Sequence, residues 1–329
     1  MSISAETRKL LLDGRIYDCR PGETVLDALL RQKVAVPNVC RHQVCLTCMM
    51  RSLGGAPPKA SQTNISDNLR TQHFFLACGC HPERDMQIAI ASETVAIQAR
   101  AQVTGITRLN SFVSEIALQC EPPLHYRGGQ FLTLFNDQNM GNRFPISSPS
   151  MGRLAGKVDI QVPRIAGGVF SEWVHTSLRI GDVLSACGAT GELFYEIGDP
   201  RQTLLLAGWD RGLGALIGVM QDAFENDHAG TIYLFHGVED KEHLYFVEEL
   251  REVAIRFERF HYVPCVRTGT PDEACASGAI ETNVERILPD LSGVKVYLCG
   301  PRNEVHALQR RAYLAGAAMK DIRTDVTHT

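Results

Sequence analysis

Four cysteines constrain this chain more than any other feature. Cys40, Cys45 and Cys48 stand in the spacing Cys-x4-Cys-x2-Cys, and Cys78 follows Cys48 after twenty-nine residues. That is the ligand spacing of a [2Fe–2S] cluster. A short loop wraps the cluster so that three thiolates converge from one side, and a strand from elsewhere delivers the fourth. A zinc site is the competing reading, but such sites usually pair two Cys-x2-Cys knuckles, and these four cysteines supply one. A disulfide framework does not suit 329 residues, nor an N-terminus, Met1–Glu6, without the basic and apolar regions of a signal peptide. The expectation is reduced thiols and a cytoplasmic protein.

Composition removes several alternatives. A length of 329 residues predicts two or three domains, and 44% hydrophobic with 21% charged residues is ordinary for a globular chain. A formal net charge of -4 argues against a nucleic-acid partner. No apolar run approaches the ~18 residues of a membrane span. The remaining cysteines, Cys19, Cys80, Cys120, Cys187, Cys265, Cys275 and Cys299, show no metal spacing; Cys80 reads as a buried core thiol rather than a fifth ligand. His42, inside the cysteine loop, is a weaker ligand than four cysteines in register.

Along the first ninety residues, apolar and polar positions alternate from about 8 to 20 around Asp13-Gly14, a hairpin turn signal. Thr24 can cap a helix with Asp27 three residues on, and Val25, Leu26, Leu29 and Leu30 form its buried stripe. Hairpin, short helix, cysteine loop and the late run Phe75-Leu-Ala-Cys-Gly-Cys-His-Pro82 resemble the β-grasp fold of plant-type ferredoxins. They look closest to the N-terminal ferredoxin modules of reductases that serve multicomponent oxygenases. Gln43 and Leu46 stand where such loops usually carry glycine. Glycine there permits unusual backbone angles, so their presence predicts a shifted potential or a looser cluster with all four ligands kept.

After residue 95 the chain becomes β-rich. Strands are predicted at 103–107, 113–118, 130–135, 158–162 and 181–186, separated by Gly, Pro and Asn clusters, which suggests a small antiparallel barrel. Tyr126-Arg-Gly-Gly-Gln-Phe131, Gly167-Gly-Val-Phe-Ser171 and Leu178-Arg-Ile-Gly-Asp-Val-Leu184 resemble the flavin domain of the ferredoxin–NADP reductase superfamily. The resemblance implies that Gly168 and Ser171 open a helix toward a flavin phosphate. The family's Arg-x-Tyr-Ser flavin motif is replaced by Asn142-Arg-Phe-Pro-Ile-Ser-Ser148. Aligned from Ile146 and Ser147, Phe144 takes the tyrosine place and Pro145 the serine place; aligned on Arg143, the aromatic and the hydroxyl are lost.

From Pro200 the rhythm is strand, helix, strand, helix, with short apolar runs at 203–207, 231–236, 260–266 and 294–299 and a helical face from Phe246 to Phe257. This predicts an open, doubly wound parallel sheet whose ligands bind beyond the strand carboxyl ends. Cys299-Gly300-Pro301 looks like the superfamily's Cys-Gly-Pro turn, which implies a thiol near the nicotinamide. Ala207-Gly-Trp-Asp-Arg-Gly-Leu-Gly-Ala-Leu216 stands at its pyrophosphate loop, where Gly208 and Gly212 survive. Trp209, Asp210 and Arg211 replace small residues there. Asp210 puts a negative charge near a helix N-terminus meant for diphosphate, a repulsion on the order of a kcal/mol, with Arg211 as its offset, and Trp209 adds bulk.

The expected architecture is multidomain, α+β and α/β: a β-grasp ferredoxin over 1–95, an antiparallel β-barrel flavin domain over 96–199, and a Rossmann-like nucleotide domain over 200–329. The resemblance implies a reductase that passes electrons from NADH or NADPH through FAD to the [2Fe–2S] cluster, and on to an oxygenase or similar redox partner. Cys299 would be the catalytic residue. Arg143, Phe144, Pro145, Ile146, Ser147, Gly168, Ser171, Gly208, Gly212, Gly300 and Pro301 would bind cofactor, and Cys40, Cys45, Cys48 and Cys78 would bind iron. No catalytic triad or metal-hydrolase pattern competes. The alternative is an iron–sulfur subunit of a redox complex that has lost nucleotide oxidation.

Overall fold

The structure, a computed structural model, describes residues 6–38, 41, 43, 47–63, 65, 67–90, 99–137, 141–150, 156–268 and 275–327. Contacts divide the chain into two compact units, residues 1–98 with 133–143, and residues 99–132 with 144–329.

In the first unit, β1 (Arg8–Leu12) and β2 (Arg15–Cys19) form the hairpin, and Asp13 and Gly14 both take positive φ at its turn. Helix α1 (Val25–Arg31) follows. The Thr24 hydroxyl oxygen accepts from the Asp27 amide at 3.1 Å and donates to the Asp27 carboxylate at 2.7 Å, which satisfies an otherwise orphaned N-terminal donor. The unit is completed by β3 (Met49–Ser52), α2 (Asp67–Thr71), β4 (Phe74–Leu76) and β5 (Met86–Ile90). The sheet order is β2-β1-β5-β3-β4, with β1 and β5 parallel and the other pairs antiparallel. Val25, Leu26 and Leu29 of the helix pack with Leu10, Met50 and Phe75 of the sheet. This is the mixed sheet with a crossing helix expected of a β-grasp.

The antiparallel sheet contains β6 (Ala99–Arg108), β7 (Val113–Glu121), β8 (Phe131–Phe135), β9 (Gly141–Pro145), β10 (Lys157–Pro163) and, after α3 (Val169–Thr176), β11 (Val183–Thr190). Its order is β10-β7-β6-β11-β8-β9. A bridge between Ile146, just past β9, and Ile160 of β10 brings the two ends of that order together, as barrel closure requires.

The remaining elements are β12 (Leu204–Trp209), α4 (Leu213–Glu225), β13 (Ile232–Val238), α5 (Val247–Arg256), β14 (Phe260–Val266), β15 (Ala276–Ser277), α6 (Ile280–Ile287), β16 (Lys295–Pro301), α7 (Arg302–Leu314) and β17 (Ile322–Thr327). They form a parallel sheet in the order β15-β14-β13-β12-β16-β17. The chain winds outward from β12 to β15 and then returns to the other side of β12, so the order reverses between β12 and β16. Strands β12 and β16 are buried along almost their whole length, as continuous apolar runs in a two-faced sheet should be.

Barrel and parallel sheet belong to one unit because α4 lies tightly on both. A Cβ on Gly218 would fall 2.3 Å from the Gly129 nitrogen and the Ile146 oxygen, and one on Gly128 would fall 2.3 Å from the Gly218 oxygen. Only glycine lets these backbones approach so closely. Asp222, one turn further along α4, is buried and accepts from the Gly128 amide at 2.8 Å and the Ser150 amide at 2.7 Å.

Candidate cofactor sites

At the cysteine site, the pairing of β3 with β4 sets the geometry. Met49 lies opposite Leu76 in the antiparallel ladder, and the Ala77 amide donates to the Cys48 carbonyl at 3.0 Å. Cys48 and the residue before Cys78 are therefore held side by side, Cys48 buried and Cys78 half-buried. Cys40 and Cys45, like His42 and Leu46, lie outside the described residues. Arg41 and Gln43 both hold positive φ, +53° and +61°, so this loop does use the backbone region glycine would favour. Cys80 is fully buried in the ferredoxin core and burial pushes its thiol up to about 12, the behaviour of a core residue.

At the flavin motif, the predicted residues divide between the units. Arg143 belongs to the first, and Phe144, Pro145, Ile146 and Ser147 to the second. Phe144 is 3% exposed and packs on Phe170 of α3, ring centroids 5.7 Å apart and planes tilted by 37°. Pro145 meets α4 at Gly214, where a Cβ would lie 3.1 Å from the proline Cγ. The Ser147 amide and hydroxyl both donate to the Asp159 carbonyl, at 2.8 and 3.0 Å. Gly168 caps α3, and a Cβ there would meet the Ser171 Oγ at 2.6 Å. The Ser171 hydroxyl is spent locally: it donates to the Gly168 carbonyl at 3.0 Å and accepts from the Ile165 amide at 3.2 Å.

Sequence reasoning missed Gln161. On β10 this residue is 2% exposed, yet neither its Oε1 nor its Nε2 has a partner among the described residues. Its amide lies beside Gly214 at the start of α4, where a Cβ would be 2.8 Å from Oε1. Buried amides are normally satisfied, so this one fits a bound polar group between β10 and the α4 N-terminus. The available signal was a lone glutamine inside an alternating strand.

At the nucleotide motif, Gly208 lies opposite Cys299 in the β12–β16 ladder. Residues Asp210–Gly212 form a single 3-10 turn leading into α4, with Asp210 at φ +47°. A Cβ on Gly212 would lie 1.9 Å from the Cys299 carbonyl oxygen, so glycine alone lets the helix start against β16. Cys299 is fully buried, in a core shared with Phe131, Leu193 and Tyr195 of the barrel side. Gly300 and Pro301 continue β16 into α7. Asp210 as a residue stays accessible, but protein packed around its carboxyl raises its pKa, against the pull of His243, Arg211 and Arg267. Burial lowers the pKa of Arg211, with Asp210 opposing. Beside the turn, a cleft of about 70 Å³ is lined by Trp209, Asp210, Gly237, Glu239, Arg267 and Glu304 among others.

Comparison with known proteins agrees with this layout. Residues 10–83 match a family of 2Fe-2S iron-sulfur cluster binding domains, and residues 210–309 match an oxidoreductase NAD-binding domain. The chain is 29% identical over 302 residues to the phenol hydroxylase P5 protein of Acinetobacter pittii, covering 88% of this chain and 84% of the relative. It is 28% identical over 308 residues to the reductase subunit of an aromatic O-demethylase from an Amycolatopsis species, covering 89% and 90%. The crystal structure of an Amycolatopsis cytochrome P450 reductase, GcoB, superposes with a TM-score of 0.69 at 24% identity, over 97% of this chain and 98% of that one, which shows the shared fold. A cluster-binding domain, a barrel and an NAD-binding sheet in this order, over nearly the full length of such relatives, make the chain similar to the reductase components of oxygenase systems.

Proposed function

We propose that this protein is the NAD(P)H-dependent reductase of an oxygenase system, whose residues would hold FAD, to accept hydride from the nucleotide, and a [2Fe–2S] cluster, to supply single electrons to the oxygenase or a similar redox partner. The observation that carries the reading is the order of the three folds on one chain, each matched to one carrier. The division of labour follows residues 1–95 for the cluster, 96–199 for the flavin and 200–329 for the nucleotide.

Within that reading, Cys40, Cys45, Cys48 and Cys78 hold the iron, and the β3–β4 pairing keeps Cys48 and the Cys78 strand in register. Arg143 and the stretch Phe144–Ser147 border the flavin, with Gly168 and Ser171 shaping the α3 start and the unpaired Gln161 amide supplying a polar partner. Gly208, Gly212, Gly300 and Pro301 open the carboxyl edge of the parallel sheet to the nucleotide, and Cys299 stands on its barrel side. These residues bind, orient and exclude water; none has to act as an acid or base. The described residues contain no helix long and apolar enough to cross a membrane, and we place the protein in the cytoplasm with its oxygenase partner.

One observation favours a second reading, an iron–sulfur subunit that no longer oxidises nucleotide: the turn into α4 opens on the Asp210 carboxylate and follows the buried Trp209, where the resemblance puts small residues. An anaerobic visible spectrum before and after NADH separates the two. Flavin and cluster bands that both bleach support the reductase. A cluster spectrum without flavin, or bands that only dithionite bleaches, would sink it.

A further inference from the structure

Strand β10 alternates between a buried and a partly exposed face, and one position breaks the pattern. Val158, Ile160 and Val162 are buried, while Lys157, Asp159 and Pro163 on the other face keep some exposure. Gln161 belongs to that second face by alternation, yet it is 2% exposed. The start of α4 covers it. A Cβ on Gly214 would lie 2.8 Å from the Gln161 Oε1 and 3.1 Å from the Pro145 Cγ, so amide and proline ring meet the helix backbone at one point. Neither Oε1 nor Nε2 has a partner among the described residues, and Glu115, opposite in the β10–β7 ladder, makes no hydrogen bond to the amide. One planar group therefore holds an unmet acceptor and an unmet donor side by side, where buried amides are normally satisfied.

We propose that the Gln161 carboxamide binds the imide edge of the flavin ring, its N3–H and a flanking carbonyl. This rests on the reading of the chain as a reductase that holds FAD. The choice of ligand follows from the pairing. An amide with both atoms unmet is satisfied at once by a group that presents N–H beside C=O. The flavin pyrimidine ring carries N3–H between two carbonyls, so Oε1 accepts from N3–H while Nε2 donates to a carbonyl, whichever way the amide faces. A nucleotide phosphate also suits a helix N-terminus, but it offers acceptors only. It would take the Nε2 donor and set Oε1 against a negative charge, and away from water that mismatch carries its full desolvation cost. The nicotinamide carboxamide is the other carrier of an N–H beside a carbonyl. Contact with Pro145 favours the flavin, because Pro145 belongs to the stretch that borders it. Proline has neither N–H nor hydroxyl to offer, so β10 supplies the polar contact that the end of β9 lacks.

Titrating the full-length apoprotein with FAD and with 3-methyl-FAD, followed by quenching of flavin fluorescence, tests this. The methyl group removes the N3–H and leaves the rest of the cofactor unchanged. The wild type should bind FAD at least about tenfold more tightly than the analogue. Gln161→Leu, close in volume, should weaken FAD binding about tenfold and shrink the ratio of the two affinities by about as much. NAD+ affinity of the FAD-loaded protein should not change. A wild type that binds both flavins equally overturns the proposal even if the variant fails to fold. A ratio that Gln161→Leu leaves unchanged overturns it too, as the result of an amide that holds only buried water. So does a variant that loses NAD+ affinity with its flavin ratio intact, which assigns the amide to the nicotinamide. If the wild type takes up no FAD, the reductase reading has failed and the proposal falls with it, whereas FAD uptake indifferent to Gln161 leaves that reading standing.

Discussion

The side chain of Gln43 lies directly on Gly79: a Cβ on that glycine would fall 2.0 Å from the glutamine Cδ and 2.2 Å from its Nε2. A residue standing in a glycine's place, with φ at +61°, thus ties the cysteine loop to the segment between Cys78 and Cys80. The strained backbone is offset by packing that glycine could not make. Gly79→Ala should push the Gln43 side chain away and speed loss of the cluster's visible absorbance in air. In a Gln43→Ala background the same change should have little effect, a coupling of about 1 kcal/mol in the double-mutant cycle. Equal effects in both backgrounds would mean that the two residues act independently.

Asp222 gathers three donors from two loops of the barrel: the Gly128 amide, the Ser150 amide and the Ser150 hydroxyl, which lies 2.9 Å from Oδ1 and 3.0 Å from Oδ2. The carboxylate is 3% exposed, so Asp222→Ala strands those donors without water to replace it. The expected cost is about 3 kcal/mol, read as a lower urea midpoint. Asp222→Asn keeps one acceptor oxygen and should cost clearly less. An alanine variant within 0.5 kcal/mol of wild type would show that the loops are held by other means.

His236 is fully buried, its Nδ1 3.1 Å from the Tyr262 hydroxyl and its ring edge-on to Tyr245. Burial lowers its pKa from 6.5 to about 3. The unfolded chain therefore gains a proton below pH 6.5 that the folded chain refuses, and stability present above pH 6.5 is lost as the pH falls toward 3. From pH 6.5 to 5 this one group should remove about 2 kcal/mol. His236→Phe should lose that part of the acid slope while the rest of the profile keeps its shape. An unchanged slope in chemical denaturation between pH 7 and 5 would contradict it.

Much of the fold was legible because it is written locally. Asp13-Gly14 gives the hairpin its positive φ values, Thr24 and Asp27 start α1, and the apolar runs of β12, β13, β14 and β16 fall within a few residues of their predicted places. What was not legible depends on distant partners. Asp222 reads as one polar position on an amphipathic helix until Gly128 and Ser150 arrive at it. Gln161 looks like one outward residue of an alternating strand until α4 covers it. In the sequence Trp209 adds bulk to the phosphate turn; in the structure it is the end of β12, with the turn beginning at Asp210. The Ser171 hydroxyl, expected to face phosphate, closes its own turn, a competition that Ser often wins near helix starts. Phe144, which takes the tyrosine place of the flavin motif, packs on Phe170, from a part of the chain that no local motif connects to it.

Glu115 on β7 shows the opposite linkage to His236. It lies across from Gln161 in the ladder, and burial, then the nearby charges of Asp159 and Glu249, raise its pKa from 4.5 to about 7. The folded state thus holds a proton between pH 4.5 and 7 that the unfolded state has released. Its contribution is complete below pH 4.5 and is lost as the pH rises through 7, leaving a buried carboxylate near two others. Because the side chain retains some exposure, solvent reduces the penalty, and about 1–2 kcal/mol is expected at pH 8. Glu115→Gln should recover that amount at pH 8 and change nothing at pH 4.5, measured as the difference between urea unfolding curves at the two pH values. A variant that is destabilised at pH 8 would show that the charged carboxylate has a favourable partner, and that the acidic cluster around β7 and β10 is not repulsive.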